Sequence, residues 1–207
     1  MERLRNAWGS AALFVLLGAA FLGERAAGAV GSDGRMLALG ALPDGGGLHG
    51  QYWRLLTFGF LHSGTGHLLL NALLLLIAGP AVERRAGPLR FAFIFLGASI
   101  ASGAAILIKH EAWPASEVSV GASGGMFGLL GAASVAAWRG RGEHPLARAL
   151  PGATLAGGLA YSLLPGISLV GHLVGLAVGA SAAFVVTPRG EASLPSHAKA
   201  PRTPRNG

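Results

Sequence analysis

Six apolar segments divide the chain, at roughly Trp8 to Leu22, Gly66 to Ala81, Leu89 to Ile108, Ala122 to Trp138, Leu146 to Leu164 and Ile167 to Val186. Several are near or below the ~20 residues that cross a bilayer as a helix. Spans of a membrane barrel would alternate apolar and polar residues, and Leu73-Leu74-Leu75-Leu76-Ile77 does not, so helices are expected. The pattern predicts an all-α polytopic membrane protein, with a bundle of six transmembrane helices over residues 1–187. A tail follows over residues 188–207. It carries Pro188, Pro195, Pro201 and Pro204 and little apolar content, which predicts disorder.

The connection between the first two segments, from about Gly23 to Thr65, is long. It holds a turn signal at Pro43-Asp44-Gly45-Gly46-Gly47. It also holds Tyr52-Trp53-Arg54-Leu55-Leu56-Thr57-Phe58-Gly59-Phe60-Leu61. That stretch is too apolar for a solvated loop and is expected to lie in the membrane interface as a membrane-associated first outer loop. Gly171, Gly175 and Gly179 form a small-residue ridge in the sixth span, and Gly124, Gly128 and Gly131 lie on a comparable face of the fourth. Such ridges let helices approach closely, so these two spans are the expected tight pair.

Composition agrees with the membrane reading. Only 12% of the 207 residues are charged and 52% are hydrophobic, whereas a soluble domain carries about 25% charged residues. The absence of cysteine excludes disulfides and thiolate chemistry. A net charge of +7 would suit nucleic acid, but the basic residues sit in short connections between apolar runs. The lipid bilayer, not nucleic acid, is the expected partner. Of the 16 Lys and Arg, only Arg25, Arg35, Arg54 and Lys109 fall on the side of the first outer loop. The other twelve share the side of both termini, which places the N- and C-termini in the cytoplasm. The first run, after Arg3 and Arg5, has signal-peptide length, with Ala26-Ala27-Gly28 as a conceivable cleavage site. A retained first span is preferred, because losing it would invert the charge split.

Few polar residues interrupt the spans, and each is a functional candidate. Gly121-Ala122-Ser123-Gly124-Gly125 opens the fourth span, His67 and Asn71 open the second on one helix face, and His172 lies early in the sixth. The second, fourth and sixth spans all run from outside to inside, so these groups share one depth near the outer face. A serine hydroxyl needs a base to take its proton, and imidazole is the usual one. Ser123 and His172 are therefore the candidate catalytic pair. His67, Asn71 and the backbone N–H of Ser123 are candidates for holding an oxyanion. Gly121 and Phe127 are expected beside the substrate, Phe127 one turn beyond Ser123 and able to stack on His172. An acidic third member could approach only as Glu111 or Glu117, so a Ser–His dyad is the more economical reading. A metal site from His62, His67 and His172 is disfavoured, with no carboxylate or cysteine near them in sequence. No metal and no cofactor are expected.

These residues resemble those of the rhomboid intramembrane serine proteases of the compact six-span bacterial type. The matching pieces are Trp53-Arg54, Gly66-His67-Leu68-Leu69-Leu70-Asn71, Ala81-Val82-Glu83-Arg84-Arg85-Ala86-Gly87, Gly121-Ala122-Ser123-Gly124 and Gly171-His172-Leu173-Val174-Gly175. They span roughly Tyr52 to Phe184. The resemblance implies a Ser123 nucleophile, a His172 base and an oxyanion site of His67, Asn71 and the Ser123 N–H. It also implies that Gly121 meets substrate, that His62, Trp53 and Arg54 shape the first loop, and that Glu83 fastens the cytoplasmic end of the second span. Substrates would be single-span membrane proteins cut near the outer end of the span. They would enter by a gate at the fifth span and a cap loop before the sixth. The sequence departs from the family pattern at Gly171, usually Ala, at Phe127, often Tyr, and at Ile167-Ser168-Leu169, where an Asn is common. No extra soluble domain is expected, since the N-terminus is short and the tail is expected to be disordered. The alternative is a catalytically silent relative that binds membrane-protein clients. Such relatives lack the Ser or the His, and both stand here. A solute channel fits less well, since no charged residue marks a path through the spans. The Ala, Gly and Arg richness suggests a bacterial plasma membrane.

Overall fold

A computed structural model of the chain describes residues 7–45, 47–113, 118–139 and 145–186. The tail expected to be disordered, and Glu117, lie outside them. The described residues form helices α1 (Trp8–Ala26), α2 (Asp33–Leu39), α3 (Arg54–Thr57), α4 (Thr65–Ala86), α5 (Pro88–Ala112), α6 (Ser123–Arg139), α7 (Pro145–Tyr161) and α8 (Leu169–Val186), with one 3-10 turn at Phe58–Phe60. Each of the six apolar segments becomes one long helix. The second segment was expected to end near Ala81. Its helix instead runs on through Glu83-Arg84-Arg85 to Gly87, whose φ of 83° stops it. Pro88 then starts α5 at a first-turn position where its missing N–H costs nothing.

α6 is the central post. Met126, Phe127, Leu129, Leu130, Ala132 and Ala133 are buried, and α4, α5, α7 and α8 all pack against it. Its six glycine and alanine positions among the first eleven residues keep it thin enough for four neighbours. The core they share includes Leu17, Leu75, Phe91, Ile94 and Phe95. The outward faces are apolar as well: Val15, Leu16, Leu73, Leu76, Phe93 and Val185 are exposed. Burial of a core does not explain these outward side chains, but a hydrocarbon solvent does. α1, α4 and α5 are long and apolar enough to cross a membrane, and α8 is apolar but shorter.

α1 starts without a side-chain cap of its own. Glu83, buried in the last turn of α4, supplies one. Its carboxylate accepts the N–H of Gly9 at 2.7 Å, and the N–H and hydroxyl of Ser10 at 2.8 and 2.7 Å. A carboxylate at a helix N-terminus satisfies orphan donors and meets the positive end of the helix dipole. Gly79 is tightly fitted beside Ser10, where a Cβ would lie 2.8 Å from its Oγ.

The connection between α1 and α4 is folded. Arg54 reaches back to the carbonyls of Leu37 and Ala41 at 2.5 and 2.9 Å and to Gln51 at 2.6 Å. Thr57 donates to the Gly40 carbonyl at 2.9 Å. Leu42 and Ser119 exchange both backbone hydrogen bonds at 3.0 Å, and the Gly121 N–H donates to Phe58. This connection thus braces the short segment that leads into Ser123. Tyr52, Trp53 and Leu56 point outward from it.

Candidate active site

Three helix beginnings meet. Ser123 is the first residue of α6, His67 stands in the first turn of α4, and His172 in the first turn of α8. Ser123 Oγ lies 2.9 Å from His172 Nε2. The starts of α6 and α8 are therefore in contact. The glycine ridges make it possible. A Cβ on Gly175 would overlap the carbonyl of Gly124, and one on Gly179 the backbone of Gly128. α6 and α8 pack backbone to backbone, as small-residue faces allow.

The nucleophile candidate is set in from the end of the bundle. Gly124 sits against Ser102 of α5, and α5 runs ten residues further to Ala112. At 1.5 Å of rise per residue, Ser123 lies about 15 Å short of that end.

His67 flanks the entry to α6. A Cβ on Gly121 would lie 2.6 Å from its Cε1 and 2.8 Å from its Nε2. The φ of Gly121, 137°, also belongs to glycine. Ser63 Oγ stands 3.1 Å from Nδ1 of His67. Asn71 is buried one turn on, with Nδ2 donating to the His67 carbonyl at 3.2 Å. The first hydrogen bond of α6 runs from Met126 to Ala122, so the N–H groups of Ser123, Gly124 and Gly125 have no acceptor within the helix.

Phe127 stacks on His172, ring centroids 4.1 Å apart and planes 6° from parallel. The hydroxyl of the tyrosine often found there is not needed for this contact. Gly171, also a departure from the family pattern, has its own reason. A Cβ there would lie 2.7 Å from Ser102 Oγ and 2.9 Å from Ile106. Glu111 is exposed at the end of α5, near Gly47.

Two residues were not anticipated. Ser162, just beyond α7, is buried with Oγ 2.6 Å from His172 Nδ1. The only signal for it was a lone serine in the apolar run Leu159-Ala160-Tyr161-Ser162-Leu163-Leu164. Glu24, near the end of α1, is buried and accepts the His62 N–H at 3.1 Å, while its other oxygen has no partner. The His62 ring packs edge-on to His67 at 5.2 Å. Burial, then the neighbouring His67, pushes the His62 imidazole down to about 4.

A hydroxyl paired with an imidazole, beside unpaired N–H donors, is the equipment of a serine nucleophile. Comparison with known proteins identifies the lineage. The rhomboid domain profile matches residues 49–189. The chain belongs to the rhomboid family. It is similar to RHOMBOID-like protein 4 of Arabidopsis thaliana, 35% identical over 141 residues, which cover 65% of this chain and 34% of that protein. It is similar to Rhomboid protease GluP of Bacillus subtilis (strain 168), 42% identical over 97 residues, covering 47% of this chain and 18% of that protein. It is also similar to Rhomboid-related protein 3 of Homo sapiens, 34% identical over 85 residues, covering 41% and 20%. The chain spans about a third or less of the length of these relatives. Rhomboid membership together with the apolar helices makes it an integral membrane protein.

Proposed function

We propose that this rhomboid is an intramembrane serine endopeptidase whose catalytic pair is Ser123 and His172. The single observation that carries the reading is the 2.9 Å contact between Ser123 Oγ and His172 Nε2, made about 15 Å in from the end of α5. Ser123 Oγ attacks the scissile carbonyl while its proton passes to His172. The oxyanion forms beside the first N–H groups of α6, with His67 and Asn71 as side-chain donors. His172 then gives the proton to the leaving amine, and water releases the acyl group by the same steps in reverse order. Gly121 lets a substrate backbone come close, and Phe127 fixes the imidazole plane.

Six spans, α1 and α4 to α8, carry this site. α6, α7 and α8 have 17, 17 and 18 residues. They are short for a bilayer, but α6 is enclosed by its neighbours and needs no lipid-facing length of its own. Substrates are single-span membrane proteins, cut near the outer end of the span. The cationic residues favour cytoplasmic termini, and a bacterial plasma membrane suits the composition. Lipid is the surrounding partner. The presence of both Ser123 and His172 favours the enzyme over a client-binding relative.

The test is cleavage of a single-span reporter in lipid vesicles by the parent, Ser123→Ala and His172→Ala. Cleavage by the parent alone, with both variants folded, supports the pair. Cleavage that survives Ser123→Ala in protease-free preparations defeats it.

A further inference from the structure

A hydroxyl has one proton to donate. Ser162 is 2% exposed, and its Oγ donates to the carbonyl of Gly158, one turn back, at 2.7 Å. That carbonyl also accepts the Ser162 N–H at 3.0 Å and can give no proton in return. The same Oγ stands 2.6 Å from Nδ1 of His172. With its proton committed to Gly158, the oxygen can only accept from the imidazole. Nδ1 must then carry hydrogen. In a neutral imidazole this leaves Nε2 with a free lone pair, and Nε2 is the atom 2.9 Å from Ser123 Oγ.

We infer that Ser162 is a positioning residue: through the chain Gly158 carbonyl, Ser162 hydroxyl, His172 imidazole, Ser123 hydroxyl, it holds His172 in the Nδ1–H tautomer and aims Nε2 at the nucleophile. This rests on the proposed Ser123–His172 pair. As the bond from Ser123 Oγ to the substrate carbon forms, the Ser123 proton moves to Nε2. The imidazolium then carries hydrogen on both nitrogens, and Ser162 accepts from Nδ1 throughout. The Nε2 proton leaves with the amine when the peptide C–N bond breaks. Ser162 neither gains nor loses a proton over the cycle.

A neutral partner suits the place. The carboxylate that orients histidine in a soluble triad would here be buried among apolar helices, where an ion is costly. α7 also fixes the ring in its other dimension. A Cβ on Gly158 would lie 2.8 Å from Phe127 Cζ, so Phe127 is wedged between α7 and His172, on which it stacks. One short stretch, Gly158 to Ser162, thus sets both the edge and the plane of the imidazole.

The experiment uses the full chain in lipid vesicles with histidine labelled by nitrogen-15, the His172 signals being identified by their loss in His172→Gln. In the parent, His172 should carry its proton on Nδ1. Ser162→Ala should shift it toward Nε2–H or a mixture and lower kcat roughly tenfold, the scale of one lost neutral hydrogen bond, with KM and thermal midpoint near the parent's. Ser162→Thr, which keeps the hydroxyl, should keep the tautomer and most of kcat. Parent kcat in Ser162→Ala, a loss confined to KM, or a parent His172 protonated on Nε2 would each overturn the inference. The parent's tautomer decides even if Ser162→Ala does not fold. Reporter cleavage that persists in Ser123→Ala would sink the Ser123–His172 pair instead, and the tautomer measurement separates that failure from this one.

Discussion

α8 and α7 both flank α6, on different terms. α8 meets it through glycine, carbonyl against Cα, with Gly175 and Gly179 against Gly124 and Gly128 and with Gly131 against Leu176. At Gly175 and Gly179 backbone meets backbone, so nothing there can rearrange. α7 is exposed along most of its length, including Leu146, Leu150 and Tyr161. A cleft of about 400 Å³, lined in part by Ser134, Trp138 and Arg148, opens between its first half and α6. Its second half is tied in, by Leu155 and Leu159 against the core, Gly158 against Phe127 and Ser162 against His172. The distance from Ser123 to His172 is therefore set by a rigid seam. The orientation of the His172 ring is set by a more loosely packed helix. Any displacement of α7 would be felt at His172 first.

The largest expected effect is at the seam. Gly179→Leu puts side-chain atoms into the backbone of Gly128, which cannot yield, and should cost about 3 kcal/mol or more. Thermal unfolding in detergent and reporter cleavage should both collapse. A stable, active variant would mean that the seam is less rigid than its geometry.

α1 illustrates a third mode, a buried carboxylate in place of glycine or a hydroxyl. Glu83→Ala leaves the N–H groups of Gly9 and Ser10 without their acceptor and should cost about 2 kcal/mol. Glu83→Gln, which keeps an acceptor, should cost less. Cleavage measured well below the unfolding midpoint should survive in both, since Glu83 is remote from Ser123. Lost cleavage in a folded Glu83→Gln would contradict that separation.

Smaller still is Gly158→Ala on α7. The added methyl presses on Phe127, and the ring can shift only with His172. A severalfold loss of kcat with a nearly unchanged melting point is expected, the converse of the seam variant. Unchanged kcat would show that the stack is not what holds the imidazole.

Gly157→Ala should do least. A Cβ there meets nothing within 4 Å, so the gain is about 0.5 kcal/mol from a better helix former, with cleavage unchanged. A clear loss would show that the outer face of α7 is packed against another molecule.

The sequence by itself determined the helices and pointed to most of the candidate site. Unbroken apolar runs report helix positions because a hydrocarbon-solvated helix has no other way to satisfy its backbone. The glycines of α6 and α8 announced a close pair because glycine at helical spacing has little other use there. Ser123, His67 and His172 stood out because polar groups in such runs are few. Only the tertiary structure decided what completes the histidine. Ser162 is ten residues from His172 and thirty-nine from Ser123, and serine is unremarkable at the end of a helix. Its role exists only because the fold turns the end of α7 toward the start of α8 and commits its one proton to Gly158. The same holds for Glu83 and Glu24, whose partners lie 73 and 38 residues away. Periodicity along a chain records which face of a helix is apolar. It does not record which helix end will meet another, because that depends on how all the faces pack at once.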